Sequence, residues 1–362
     1  YARVATMGEE VRDPARTIPR AVVGSMLGVV VLYALIWLGS LYPIVLPETV
    51  LGMSAGSTWI VLLFLYAGIA SVLPVWVLLQ PRDYINGLQL FVGLGLLYLA
   101  VLFGAPELVA PAFNQELPAD TPSIVPLLFV TIACGAISGF HGIVSSGTSS
   151  KQLDKETDAR FVGYFGAMGE GMLSLAAIIC CTAGFATLTD WQQVYTAFGS
   201  GGVTAFVQGG GTLLANGLGL PAELGGTILA VMAILFAGTT MDTGLRLQRF
   251  VIQEAGELAG MKVNTLVGTL IAVGVCMALA FGAGSDGTGG MVIWPLFGTT
   301  NQLLAGLTLT KMKFLHPFRV RQFMPLNILV TFVWMLSSAL LILQYPANQF
   351  WLLGLWWLAS AY

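Results

Sequence analysis

The sequence predicts an all-α, polytopic membrane protein of about ten transmembrane helices, some of them discontinuous. Three observations predict it. Of the 362 residues, 56% are hydrophobic and only 9% charged, where soluble domains carry roughly 25% charged residues. Mean hydropathy is +0.83. Apolar runs of roughly 20 residues, the length that crosses the hydrocarbon of a bilayer, recur along the chain. Finally, the Lys and Arg residues collect in every second gap between those runs.

Taken in order, the expected spans are 20–43, 57–80, 86–105, 123–147, 161–187, 221–241, 263–283, 290–310, 324–344 and a short one from about 348. Arg3, Arg12, Arg16 and Arg20 precede the first. Arg82 follows the second. Lys151, Lys155 and Arg160 follow the fourth, and Arg246, Arg249 and Lys262 the sixth. Lys311, Lys313, Arg319 and Arg321 follow the eighth. These are all 15 Lys and Arg of the chain. By the positive-inside rule the N-terminus and the basic loops are expected in the cytoplasm. Residues 202–220 are moderately apolar, but a span there would invert the charge pattern. Its glycines also weaken a lipid-exposed helix. The expectation is an outer loop with an interfacial or re-entrant helix. Because the chain begins at Tyr1 rather than Met, it is expected to be a piece of a longer one.

The stretch 131–160 is organised differently from a plain span. An apolar run fills with Gly135, Gly139, Gly142 and Gly147, with Ser138, Ser145, Ser146 and Thr148, and with His141, then ends in charge. Irregular backbone at membrane depth is tolerated only around a cavity or inside protein. The stretch is therefore expected to be a broken helix of a secondary transporter. Gly298 followed by Thr299, Thr300, Asn301 and Gln302 predicts a second break near 298–302, or polar glue between helices.

Two ionisable groups lie at depth. Glu170 is about 14 Å into its span, near the midplane. A lone acid in hydrocarbon is kept with a partner or a function, so Glu170 reads as a proton carrier or as a protonated interhelical contact. His141 is about 9 Å deep. It reads as a proton relay and substrate contact or as a neutral group on a freed carbonyl. At the end of the sixth span, Asp242 and Arg246 are spaced i, i+4 for a helical ion pair and read as a gating latch. Arg82–Asp83 and the 151–160 charges read as solvated faces. Cys134, Cys180, Cys181 and Cys276 read as free apolar residues, with no metal spacing. No nucleotide loop or hydrolase motif is present, so neither an enzyme nor a primary pump is expected, and no cofactor, metal or nucleic acid.

Two resemblances rest on particular residues. Glu9-Glu10-Val11-Arg12-Asp13-Pro14 leading to Ile18-Pro19 resembles the cytoplasmic signature of amino acid–polyamine–organocation permeases. From residue 57 the chain resembles the carbon starvation protein A family in five ordered blocks. They are Pro74-Val75-Trp76 to Pro81-Arg82-Asp83-Tyr84; Cys134 to Thr148 with Glu156 to Arg160; Gly163-Tyr164 with Glu170; Thr239 to Thr243 with Arg246 and Arg249; and Trp294 to Leu303. The resulting division is residues 1–56, permease-like, and 57–362, carbon starvation protein-like, without that family's N-terminal half.

The resemblance implies an inverted-repeat transporter of the amino-acid permease type in a bacterial inner membrane. It implies import of peptides or pyruvate driven by H⁺ or Na⁺. Under it Ser138, Gly139, His141, Ser145, Ser146, Thr148, Thr299, Thr300 and Asn301 bind substrate, and Glu170 with His141 handles the coupling ion. Helix N-termini exposed by the break would attract a substrate carboxylate. An amino-acid permease, or a membrane metabolite sensor that moves nothing, stays the alternative.

Overall fold

The computed structural model describes residues 14–50, 52–74, 78–114, 117–118, 121, 138–145, 149–150, 153, 155–196, 201–287, 289–292, 297–298 and 300–306. It forms two compact units. One comprises residues 1–121 and 153–277, the other 122–152 and 278–362.

The first unit is helical apart from one small ribbon. Helix α1 is Pro14–Leu41. Strands β1 (Thr49–Val50) and β2 (Met53–Ser54) pair antiparallel around Gly52 at φ 80°, a left-handed turn that glycine adopts without strain. Ser54 then caps helix α2 (Ala55–Val72) by accepting the Ser57 N–H at 3.2 Å. That helix stops two residues before Pro74, since the residue before a proline is pushed out of the helical region. Helix α3 (Leu79–Gly104) restarts at once, with Pro81 in its first turn, where its missing N–H removes no helical bond.

In the second unit lies the short helix α4 (Gly139–Val144). Back in the first unit are α5 (Asp158–Ala183), α6 (Leu188–Val194), α7 (Gly202–Leu218) and α8 (Ala222–Leu258). Helix α9 (Thr265–Phe281) begins in the first unit, and α10 (Gly289–Val292) and helical residues 300–306 belong to the second. Among the described residues, five helices are long and apolar enough to cross a membrane: those at 23–41, 55–72, 81–104, 158–183 and 222–258. Helix α9 is a shorter apolar one. The expected spans at 324–344 and from 348 lie outside the described residues.

The glycine-rich helix α7, expected to be interfacial or re-entrant, is the packing centre of the first unit. Leu213 and Leu214 join Leu94, Leu97 and Ala100 of α3, Ala176 and Cys180 of α5, and Leu229 and Met232 of α8. Of the two expected placements the interfacial one is not met, since the helix is buried among its neighbours. The glycines that weaken a helix in isolation let three neighbours approach its backbone. Gly209 lies against the Cys180 carbonyl and the Gly184 Cα, Gly211 against Gly226, and Gly217 against the Ala100 backbone. Helices α3 and α5 run side by side in the same direction. Phe91 faces Phe165 at 6.2 Å between ring centroids, and the Tyr98 hydroxyl donates to the Met172 carbonyl at 2.7 Å. Cys180, Cys181 and Cys276 are free thiols, Cys180 buried and the others half-buried.

Candidate functional site

In the second unit the polar centre joins α4 to residues 300–306. Ser138 is extended (φ −79°, ψ 127°), so no continuous helix runs through it. Helix α4 starts at the next residue. The Asn301 side-chain oxygen accepts the Phe140 N–H at 2.8 Å and the Ser138 hydroxyl at 3.1 Å. Ser138 Oγ in turn accepts the His141 N–H at 3.4 Å. Gly139 is required here, because a Cβ would fall 2.6 Å from Ala305 N and closer to the Asn301 carbonyl. Asn301 is 4% exposed. One long-range side chain thus pins the start of the helix.

Several sequence expectations change at this centre. The N–H groups of Phe140 and His141, expected to meet a substrate carboxylate, are taken by Asn301 and Ser138. Residues 300–306 are helical, so Thr300, Asn301 and Gln302 do not break the backbone. Instead Asn301 and Gln302 are buried. The His141 and Ser145 side chains are exposed. Ser146, Thr148 and Thr299 lie outside the described residues. Replacing Asn301 with Ala removes the acceptor of two bonds and leaves the Phe140 N–H unpaired. The expected loss is about 2–3 kcal/mol, read as a lower unfolding temperature in detergent. Asn301→Asp, which keeps the acceptor, is expected to recover most of it.

In the first unit a second polar centre forms where α2 ends. The last carbonyls of a helix have no partner within it. Here Arg246 of α8 donates to the Ala70 and Leu73 carbonyls at 2.9 and 2.6 Å, and Arg249 donates to the Ser71 carbonyl at 2.6 Å. Cations at a helix C-terminus also meet its negative dipole end. Arg82, in the first turn of α3, donates to the Tyr66 hydroxyl at 2.8 Å and to Asp83 at 3.2 Å. It also forms an ion pair with Asp242 of α8, whose side chain is fully buried.

Two sequence expectations are corrected by this centre. The partner of Asp242 is Arg82, not Arg246. The Arg246 side chain reaches across to α2 instead, where unpaired carbonyls bind it. Arg82 and Asp83 are not a solvated face, since their side chains are only 15% and 20% exposed.

The sequence nominated Asp242 and Arg246 but missed their meeting with Arg82 and with the end of α2, and the burial of Asn86 and Gln89 farther along α3. One signal was available. Arg82, Asn86 and Gln89 follow i, i+4, i+7 spacing, a single polar stripe on an otherwise apolar helix. Glu170 stands in the middle of α5 with an exposed side chain. It belongs to the first unit and His141 to the second.

Comparison with known proteins places this fold. The sequence model described as carbon starvation protein CstA matches residues 11–185 and 184–341. A peptide transporter CstA from Helicobacter pylori (strain J99) is 32% identical over 354 residues, covering 82% of this chain and 50% of that protein. A peptide transporter CstA from Escherichia coli K12 is 33% identical over 314 residues, covering 70% and 44%. The pyruvate/proton symporter BtsT from the same organism is 31% identical over 323 residues, covering 67% and 44%. The chain spans about half the length of the curated relatives it matches. No solved structure matches it. With its matched segments reaching from residue 11 to 341, on a helical multi-pass membrane fold, the chain belongs to the carbon starvation protein CstA family.

Proposed function

We propose that the chain is part of a secondary transporter that imports small carboxylate nutrients, peptides or pyruvate, using an ion gradient. The observation that carries this reading is the short helix that starts at Gly139 after an extended Ser138 and is pinned there by buried Asn301. A static membrane anchor has no use for such a helix start within an apolar run, whereas broken helices line transporter sites. The names of the relatives agree, and that of the pyruvate/proton symporter favours H⁺ over Na⁺.

In this reading the exposed His141 and Ser145, with Ser146, Thr148, Thr299 and Thr300, face the solute. Ser138, Gly139 and Asn301 shape the backbone around it. Glu170 and His141 handle the proton, and Asp242 belongs to a gate with Arg82 and Arg246. Residues 1–56 are a cytoplasmic loop and first span, and 57–362 the remaining transmembrane domain of a bacterial inner-membrane carrier. The distribution of Lys and Arg supports a cytoplasmic N-terminus.

The test is uptake of labelled pyruvate and of a labelled dipeptide into proteoliposomes, with and without an inward proton gradient. Accumulation of one above equilibrium, only with the gradient, is expected. Equilibration that ignores the gradient would make the protein a channel. Binding without flux by folded protein would make it a sensor.

A further inference from the structure

We propose that the first half of α3, residues 79–90, parts from α8 to open a water-filled passage lined by Asn86 and Gln89. This rests on the gate proposed at Asp242 and deepens it by naming the helix that moves.

Two contacts fix how α3 and α8 face each other. Arg82 pairs with Asp242, and Gly93 lies against the Met232 sulfur, so the helices run antiparallel. On α3, Asn86 and Gln89 fall between those contacts at i+4 and i+7 from Arg82, on the face that leads to Gly93. On α8, Leu235 and Thr239 fall between Met232 and Asp242 at i+3 and i+7 from Met232. Asn86 therefore comes roughly level with Thr239, and Gln89 with Leu235, about 6 and 10 Å along α3 from Arg82.

Neither neighbour satisfies the amide it meets. The Thr239 hydroxyl donates to the Phe236 carbonyl of its own helix, and leucine has no polar side-chain atom. Asn86 Oδ1 is left unpaired, and so are both amide atoms of Gln89, although the two residues are only 5% and 0% exposed. Buried polar groups are ordinarily bonded, and each exception calls for a cause. This row holds acceptors and a donor together, which water can satisfy and an ion of either sign cannot. Water reaches it once the two helices part.

On both sides of this stretch α8 is held firmly. Past Asp242, Arg246 and Arg249 donate to three carbonyls of α2, and Leu245 packs with Ala67 of α2 and Ala272 of α9. The Ser71 hydroxyl and the Nε–H groups of both arginines are unpaired there, but each arginine is anchored through another nitrogen. Before Met232, Leu229 joins Leu94, Leu97 and Ala100 of α3 in the core. The weak stretch thus belongs to the first half of α3. Gly93 and Gly95 stand where its polar row ends and the core begins, and glycine weakens a helix at such a point. What must release is Arg82, from Asp242 and from the Tyr66 hydroxyl. Helix α1 meets α3 at Gly28 and Ile85, is exposed over much of its length, and can travel with it.

A charged, water-soluble thiol reagent, which does not enter hydrocarbon, tests this on the protein in proteoliposomes. Modification is read residue by residue by mass spectrometry, so that the native cysteines do not interfere. Leu235→Cys reports the seam and leaves Arg82, Asn86, Gln89 and Asp242 in place. Leu245→Cys reports the anchored side of the same helix. Position 235 is expected to react faster than 245 by about tenfold or more. Asp242→Asn frees Arg82, and should speed the reaction at 235 about tenfold while leaving 245 unchanged. Gln89→Leu removes the unpaired amide, and should slow the reaction at 235 about tenfold and raise the melting temperature. Equal rates at the two positions, or a rate at 235 that neither substitution moves, overturn the passage. Uptake by the same vesicles separates this from the carrier reading. The expected reactivity with no uptake of pyruvate or dipeptide keeps the passage and removes the carrier. Uptake with an unreactive seam keeps the carrier and removes the passage.

Discussion

Arg246→Leu is expected to lower the stability of the protein by about 3 kcal/mol, because two carbonyls lose their donor. The arginine holds two carbonyls at the end of α2, those of Ala70 and Leu73. Leucine replaces the bulk but leaves both acceptors without a donor in a buried setting, at about 1–3 kcal/mol each. Thermal unfolding in detergent, followed by circular dichroism, measures the loss. Arg246→Lys keeps the charge but reaches with a point donor in place of a fork, so it is expected to recover part of the difference. A leucine variant as stable as wild type would show that water already satisfies the end of α2.

Gly209→Ala is expected to cost about 3 kcal/mol, at the upper end of overpacking effects. Its Cβ would run into the Cys180 carbonyl oxygen and come within 3.0 Å of the carbonyl carbon. Both atoms belong to the backbone of α5, so no rotamer change relieves the contact. The helices must separate, which loosens the core around Leu97, Leu214 and Leu229. Gly226→Ala supplies the contrast. The nearest atom to its Cβ is Val207 Cγ1 at 3.7 Å, an ordinary contact. Alanine is also the better helix former by about 1 kcal/mol, so this variant is expected to match or exceed wild type. Comparable losses in both would mean that α7 is not closely packed.

The long apolar elements were legible in the sequence because burial in lipid selects length and composition, which a run of residues displays directly. Helices α1, α5 and α9 follow the expected spans closely, whereas α2 ends at Val72, well short of the expected 80, and α3 starts at Leu79 rather than 86. Helix α8 was expected over 221–241 but runs to Leu258. Its second half carries Arg246, Arg249, Glu254 and Glu257, and reads as a loop unless one knows that the arginines have carbonyls to meet. The central place of helix α7 in the core was not legible, for a related reason. Glycine lowers the stability of a helix in isolation, yet at a helix crossing it removes the barrier to close approach, and only the neighbours decide which effect wins. The extended backbone at Ser138 fits the irregularity expected from its own residues. Its partner Asn301 was not identified as such, because the contact joins residues 163 apart. The same holds for Arg82 and Asp242. Sequence shows which groups are costly to bury, but not which of them meet.

The short connection between α7 and α8 bears on how the protein is made. Only residues 219–221 separate Leu218 from Ala222. An emerging α7, rich in glycine, gains little from hydrocarbon alone and finds its closest complement in the segment synthesised immediately after it. The two helices should therefore leave the translocation machinery as one hairpin, with Gly219 at φ 70° forming the bend. A nascent chain stalled before α8 has emerged is expected to keep α7 accessible to water-soluble thiol reagents, through a cysteine placed at Leu214, which lies against Gly225 of α8 and is 0% exposed. Extension of the chain through α8 should bury that position in a single step.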